Sequence, residues 1–242
     1  KKLRNRILSN LKLVEGTFKV TDKEEFIKSV GNSVGRALTE LIFNKEFVTA
    51  KNKIKYENDI PECLLTAKKN NKPVILVSGH FGQWEAVRIM LKKNGFETGA
   101  IYRKNKNPFF ESMYLKNIRL GGEPIFPAGL AGTKRMIKHL KAGGILALLL
   151  DQAVSDGDDF KFFGLKAKTS MAIAELALKY NASIVPCYGI REQDGVSIRV
   201  VFEDPISNDS PRKIIQSIND SLEARVRTNP TQWHWLHNRW KV

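Results

Sequence analysis

The sequence predicts an α/β fold: a mostly parallel central sheet covered by helices, preceded by a helical N-terminal segment. Three observations carry this reading. From residue 54 to residue 191, short apolar runs alternate with amphipathic stretches of helical length, the pattern of a sheet layered with helices. Two of those runs, VILV at 74–77 and ILALLL at 145–150, are apolar throughout, as central parallel strands buried on both faces are. Residues 1–55, by contrast, read as helices. The expected organisation is a helical segment 1–55, membrane-proximal and packed on an α/β core 56–242, the two making one structural domain.

Taken in order, KKLRNRILSNLKLVEG mixes basic residues with Ile7, Leu8, Leu11, Leu13 and Val14. Such an amphipathic stretch suits an anionic membrane surface; a helix docked on the rest of the fold accounts for it equally well. Thr21-Asp22-Lys23-Glu24 has the spacing of a capping box and starts a helix through Phe26, Ile27 and Val30. A third helix is expected over 35–47, with Leu38, Leu41 and Ile42 on one face. The core then reads as helix 60–70, strand 73–77, helix 83–93 and strand 97–102. Asn107-Pro108 starts a helix through Ile118, followed by strand 123–126, helix 130–140 and strand 144–150. Helix 170–179 and strand 183–190 follow. The alternation of Val, Ile and Phe with Ser and Arg over 196–202 predicts an antiparallel partner of the preceding strand. An amphipathic helix over 211–227 leads into NPTQWHWLHNRWKV, which holds three of the chain's four tryptophans.

Composition narrows the function. Forty basic against 25 acidic residues leave a net charge of +15 in 242 residues. That excess favours an anionic partner: nucleic acid, an acidic membrane surface, a phosphorylated substrate or an acidic carrier protein. No helix-turn-helix, zinc-finger spacing or aromatic RNP-like strand is present, so nucleic acid is not the expected partner. The tryptophan-rich tail suits base stacking, a lipid interface or the core alike. No apolar run approaches the roughly 18 residues that span a bilayer. A chain that begins at Lys1 is expected to be a fragment. Cys63 and Cys187 make no zinc spacing and are expected as free thiols in a reducing compartment.

The stretch KPVILVSGHFGQWEA, 72–86, carries the chemistry. It reads as a strand that ends in His80, turns on glycine and opens a helix with Glu85. Five residues on one helix would set the two groups about 140° apart. With His80 at the strand end and Glu85 in the first helical turn, both can face the crevice beyond the carboxyl ends of the strands. An imidazole oriented by a carboxylate is a general base at neutral pH. Ser78 lies two residues earlier, but VSGHFG lacks the order of a nucleophile elbow. HFGQWE also lacks the His-Glu-x-x-His register, and the Asp156, Asp158, Asp159 cluster lacks an EF-hand loop, so no metal is expected. Arg103, Arg119, Lys134 and Arg135 fall at element ends around the crevice, where arginine forks suit phosphate or carboxylate. Asp151, ending an apolar strand, calls for a cation or a backbone turn as its partner.

These residues resemble a known family. HFGQWE is similar to the His-x4-Asp/Glu motif of the lysophospholipid acyltransferase superfamily, in the form found in late lipid A acyltransferases, the lauroyl and myristoyl transferases of Gram-negative bacteria. Tyr102-Arg103 with Asn107-Pro108, then Arg119, Asp151-Gln152, Phe162-Phe163-Gly164 with Ala167 and Thr169, and the closing WHWLHNRWK resemble further family segments in the same order. The resemblance implies a glycerol-3-phosphate acyltransferase-like fold and transfer of a fatty acyl group from an acyl carrier protein thioester to a hydroxyl of a lipid A precursor. It implies no cofactor, and a place at the cytoplasmic face of the bacterial inner membrane. Family members usually begin with a hydrophobic membrane segment, which this sequence does not contain. Within that reading His80 takes the hydroxyl proton and Glu85 holds the imidazole. Arg103 and Arg119 hold phosphate or sugar acid groups, with Asp151 and Gln152 orienting them or the substrate. Trp84 and the 160–163 loop line an acyl groove, core packing being the alternative for both. Backbone N–H groups at 82–85 or a nearby arginine serve the oxyanion. Another glycolipid or lysophospholipid acceptor, with acyl-CoA as donor, is the alternative chemistry; a basic peripheral membrane or nucleic-acid-binding protein is the alternative class.

Overall fold

A computed structural model describes residues 2–49, 54–57 and 59–240. Parts of the expected N-terminal helical region (50–53) and the final Lys241 of the tail motif lie outside the described residues. The chain runs α1 (Lys2–Val14), α2 (Lys23–Ile42), α3 (Asn44–Thr49), β1 (Ile54–Tyr56), α4 (Glu62–Asn70), β2 (Val74–Ser78), α5 (Glu85–Lys93), β3 (Thr98–Tyr102) and α6 (Pro108–Leu120). It continues with β4 (Ile125–Pro127), α7 (Leu130–Lys141), β5 (Ile145–Leu149), β6 (Asp158–Phe162), β7 (Leu165–Thr169), α8 (Ala172–Tyr180), β8 (Ser183–Arg191), β9 (Ile198–Phe202) and α9 (Pro211–Thr228).

Seven strands form one sheet in the order β1-β9-β8-β2-β5-β3-β4. Every neighbouring pair is parallel except β8 and β9, the antiparallel pair expected from the alternation at 196–202. β2 sits at the centre with all five residues buried, which is why VILV shows no polar alternation. The expected core elements lie within two residues of their observed ends. The N-terminal half differs more. Asp22, not Thr21, caps α2, accepting from the N–H groups of Glu24 and Glu25 at 3.0 Å each. The two helices expected over 21–47 are one 20-residue helix and a short α3. Asparagine starts α6 as its Asn-Pro pair predicts: Asn107 Oδ1 accepts from the Phe109 and Phe110 N–H groups.

Residues 158–169, whose 160–163 stretch is expected as a loop, are a hairpin, β6 against β7. Its Phe160, Phe162 and Phe163 are buried, and Phe162 stacks on Trp240 at 5.8 Å and meets Trp233 edge-on at 5.4 Å. Core packing, not an acyl groove, is thus where this segment goes, because rings of this size stabilise most by burying against one another. The same cluster takes the apolar face of α1 (Ile7, Leu11, Val14) and the tail tryptophans Trp233, Trp235 and Trp240. The docked reading of α1 is the observed one. Arg239, fully buried, closes the tail onto the fold by donating to the Lys168 carbonyl, Thr169 Oγ1 and Asn219 Oδ1. Among the described residues, no helix is long and apolar enough to cross a membrane. Cys63 and Cys187 are both free thiols.

Candidate active site

The register of two neighbouring strands builds the site. β2 and β5 run parallel with Ser78 opposite Leu149, and the Leu150 N–H donates to the Ser78 carbonyl at 2.9 Å. Two residues past each of those positions stand His80 and Asp151, side by side although 71 residues apart in sequence. His80 Nδ1 lies 2.7 Å from Asp151 Oδ1, and the His80 N–H donates to Asp151 Oδ2 at 2.9 Å. Trp233 Nε1–H adds a third bond to the same oxygen at 3.0 Å. The carboxylate, 0% exposed, is gripped by backbone, imidazole and indole. Two glycines let the turn come this close. A side chain at Gly79 would press on Leu222 at 2.7 Å and Asp151 Cβ at 3.2 Å. Gly82 has φ +54°, and a Cβ there would lie 2.0 Å from the Gly189 carbonyl oxygen.

An ionised Asp151 makes Nδ1 the protonated nitrogen of a neutral His80, which leaves Nε2 as the lone pair. Burial works against a charged imidazole, but the charge of Asp151 and its hydrogen bond outweigh it and raise the His80 pKa. Burial likewise opposes the Asp151 anion; the charge and hydrogen bonds of His80 and the charge of His237 hold its carboxyl well below the usual carboxylate range.

The assignment of Glu85 to His80 is corrected here. Glu85 Oε2 accepts from Arg88 Nη1 at 2.7 Å, an i,i+3 pair buried in the first turn of α5. Arg88 also donates to the carbonyls of Thr98, Ile118 and Gly122, pinning α5 to β3 and to the end of α6. The helix that carries Glu85 turns it toward Arg88, while the strand pairing delivers Asp151 to His80. Glu85 nonetheless faces the same cavity. Its neighbour Tyr114 is pushed up to about 12 by burial and then by the Glu85 charge.

That cavity, about 660 Å³, opens beyond the carboxyl ends of β2, β5 and β3, where ligands of such sheets bind. Leu76, Ala147 and Leu148 from the sheet, Val87 from α5, and Leu38 and Leu41 from α2 line it together with Trp84, Tyr114 and Ile118. His80, Ser78, Arg103 and Gln152 also reach it. Trp84 meets the His80 ring edge-on at 5.3 Å. Of the expected binding residues, Trp84, Arg103, Asp151 and Gln152 are therefore at or around the site. Arg119 is not: it pairs with Glu123 at 3.3 Å on the surface. Lys134 and Arg135 are absent from the cavity wall, and Arg135 lies over the Phe126 ring. Ser78 Oγ is buried without a hydrogen-bond partner among the described residues, so it has no base to activate it.

Two residues that sequence reading missed are His234 and His237. The tail runs antiparallel to the turn, Phe81 bridging Trp233 and the His234 N–H donating to the His80 carbonyl at 2.9 Å. The tryptophans point into the core, and the two imidazoles come out over the cavity. The His237 ring centre is 4.6 Å from that of His80 and 4.3 Å from that of His234. Three of the chain's four histidines thus meet at one point. Burial lowers His234 and His237 to about 4, so both are neutral at pH 7. His234 Nδ1 and His237 Nε2 are buried without hydrogen-bond partners among the described residues. Asn10 of α1 holds the segment, donating to the Trp235 and His237 carbonyls at 2.7 and 2.9 Å. The available signal was compositional: half of the histidines lie in one tryptophan-rich stretch.

Three of the four backbone donors expected for an oxyanion at 82–85 are spent elsewhere. The N–H groups of Gly82 and Gln83 bond the Gln232 and Gly189 carbonyls, and that of Glu85 bonds Gln83 Oε1. His80, Asp151 and His237 offer ligand atoms within 4.8 Å of one another, a set able to hold a divalent cation only by competing with His80 for Asp151.

A profile of the bacterial lipid A biosynthesis acyltransferases matches residues 1–242. The chain belongs to that family. It is 22% identical over 179 residues to a lipid A biosynthesis acyltransferase of Haemophilus influenzae, a match covering 72% of this chain and 56% of the relative. It is 24% identical over 185 residues to the lipid A biosynthesis myristoyltransferase of Escherichia coli K12 and to lipid A biosynthesis acyltransferase 1 of Shigella flexneri, covering 72% of this chain and 55% of each. The matches span about half the length of these relatives. In this member of the lipid A acyltransferase family, the motif histidine is clamped by an aspartate from the DQ segment, and the motif glutamate is clamped by an arginine one helical turn on.

Proposed function

We propose that this chain catalyses transfer of a fatty acyl group from the thioester of an acyl carrier protein to a hydroxyl of a lipid A precursor, with His80 as general base. The observation that carries the reading is the His80–Asp151 pair opening on an apolar cavity of about 660 Å³ beside the sheet's carboxyl edge. An alcohol has a pKa far above 7, so its proton must leave as the oxygen attacks. His80 Nε2 takes that proton, the C–O bond forms at the thioester carbon, and the oxyanion collapses with loss of the thiolate, which recovers the proton from the imidazolium. Asp151 holds the tautomer and stabilises the imidazolium, the part a carboxylate plays beside a catalytic histidine. No acyl-enzyme is needed, since the acceptor hydroxyl is the nucleophile.

His237 supplies a side-chain donor for the oxyanion in place of the occupied N–H groups of Gly82, Gln83 and Glu85. Its neutral imidazole carries one N–H, its Nε2 has no hydrogen-bond partner among the described residues, and it borders the cavity beside His80. Glu85 acts through Arg88, fixing the cavity wall, and Arg103 at the mouth suits a phosphate of the acceptor. The cavity's aliphatic lining suits an acyl chain. Family membership supports the substrate class, and the reading puts the chain peripherally at the cytoplasmic face of the inner membrane.

The test is transfer from acyl carrier protein thioester, and in parallel from acyl-CoA, to a lipid A precursor. The wild-type chain should transfer from the carrier protein, and His80→Ala should not, with an unchanged circular dichroism spectrum. Full activity in His80→Ala would sink the mechanism; activity only with acyl-CoA would reassign the donor.

A further inference from the structure

The exposed large apolar side chains are not scattered evenly over the molecule. Leu38, Ile101 and Phe110 line the cavity and are 43%, 41% and 36% exposed. Phe109, Met113 and Leu130, at the starts of α6 and α7, are 86%, 40% and 75% exposed. The Ala128 N–H donates to the Tyr102 carbonyl at 2.7 Å, so the loops that follow β3 and β4 leave the sheet side by side. The two helix starts therefore flank one opening. Phe109 and Met113, four apart, share a face of α6.

The field around this rim is basic. From Arg103 to Arg135 the chain holds seven basic and two acidic residues. Glu111, one of the two, is buried against Tyr102 and Asn105, and Glu123 is paired with Arg119. Arg103, Lys104 and Lys106 stand exposed on the loop just before Phe109. The basic amphipathic stretch that suited a membrane in sequence, α1, has its Ile7, Leu11 and Val14 buried in the core.

We propose that the cavity mouth, not α1, is the face that docks on an anionic bilayer: Phe109, Met113 and Leu130 insert among the acyl chains while Arg103, Lys104 and Lys106 meet the lipid phosphates. Apolar side chains ringed by lysine and arginine are what binds the interface of a charged bilayer. An uncharged surface would match the apolar residues but leave the three cations without counterparts. The inference rests on the acyltransferase reading in one respect: docking here lets an amphiphile pass from bilayer to cavity without exposing its chains to water.

Flotation of the purified chain with vesicles tests it. Vesicles containing phosphatidylglycerol should carry the protein and pure phosphatidylcholine should not, and 500 mM salt should release it. Phe109→Asp/Leu130→Asp replaces two exposed side chains and should weaken binding at least tenfold. Arg103→Gln/Lys104→Gln/Lys106→Gln should do the same and flatten the salt dependence. Leu3→Asp/Leu13→Asp, on the exposed side of α1, should change binding less than twofold. In Phe109→Trp the added indole should shift its emission to the blue on phosphatidylglycerol vesicles. Equal binding to both vesicle types, or loss in the α1 variant with the rim variants unaffected, overturns the proposal. Acyl transfer by the wild-type chain in detergent is read alongside. Rim-dependent flotation without transfer upholds the surface and sinks the catalytic reading; transfer with rim-independent flotation does the reverse.

Discussion

Two buried carboxylates flank the site, Glu85 in the cavity wall and Asp151 behind His80, and their partners set them apart. Asp151 holds an imidazole whose far nitrogen is open to substrate; Glu85 holds a guanidinium whose other donors are taken up by three backbone carbonyls. The first pair has a proton to move, because histidine titrates near neutrality and its pKa is raised further by the aspartate. The second has none, because an arginine stays protonated throughout. A carboxylate in an active site is therefore not catalytic by position alone. Its partner decides whether the charge serves chemistry or architecture.

That contrast can be broken, most directly at His80. His80→Ala should cost about 10³-fold or more in kcat in protein that keeps its circular dichroism spectrum, near the upper part of what a general base supplies. Asp151→Asn should cost roughly 10²–10³-fold. It should also move the acid limb of the kcat/KM profile to lower pH, since removing the anion leaves burial alone to act on the imidazole. A profile that stays in place would show that Asp151 does not act on His80. His237→Ala should lose about 10²-fold in kcat with KM nearly constant, the range of one oxyanion donor; a change in KM alone would remove it from that role.

Glu85→Gln sharpens the comparison from the other side. It leaves the Arg88 charge uncompensated in a buried site, which costs about 3–5 kcal/mol of stability. The double variant Glu85→Gln/Arg88→Met should recover most of that in denaturant melts. Where the single variant is still folded, kcat should fall less than in Asp151→Asn. An equal fall at wild-type stability would return Glu85 to the chemistry.

The smallest effect is on stability against pH. His234 and His237 have folded pKa values lowered from 6.5 to about 4, so the unfolded chain binds more protons between those values. Their contribution is complete above pH 6.5 and is lost as pH falls toward 4, by roughly 2 kcal/mol for each histidine at pH 5. His80 has the opposite sign: with a raised pKa, its contribution is present below 6.5 and fades as pH rises through the folded value. Asp151, with a lowered pKa, contributes above 3.8 and loses that as pH falls further. A Tm that drops between pH 7 and 5 in the wild type and less in His234→Phe would bear this out.

By itself the sequence determined the local features: the buried central strands in VILV and ILALLL, the Asn-Pro start of α6, the glycine turn at His80 and the antiparallel edge at 196–202. Each depends on residues a few positions apart, so period and turn chemistry suffice. The family could be read from the order of its short motifs for the same reason. Which carboxylate meets His80 could not. Glu85 was the near one in sequence, but Asp151 arrives through the register of β2 against β5, a pairing set across 71 residues by packing on both faces of the sheet. His234 and His237 reach the site because three tryptophans bury into a core shared with α1 and the β6–β7 hairpin. Only the tertiary structure decided these, since the free energy that places them comes from surfaces far apart along the chain meeting all at once.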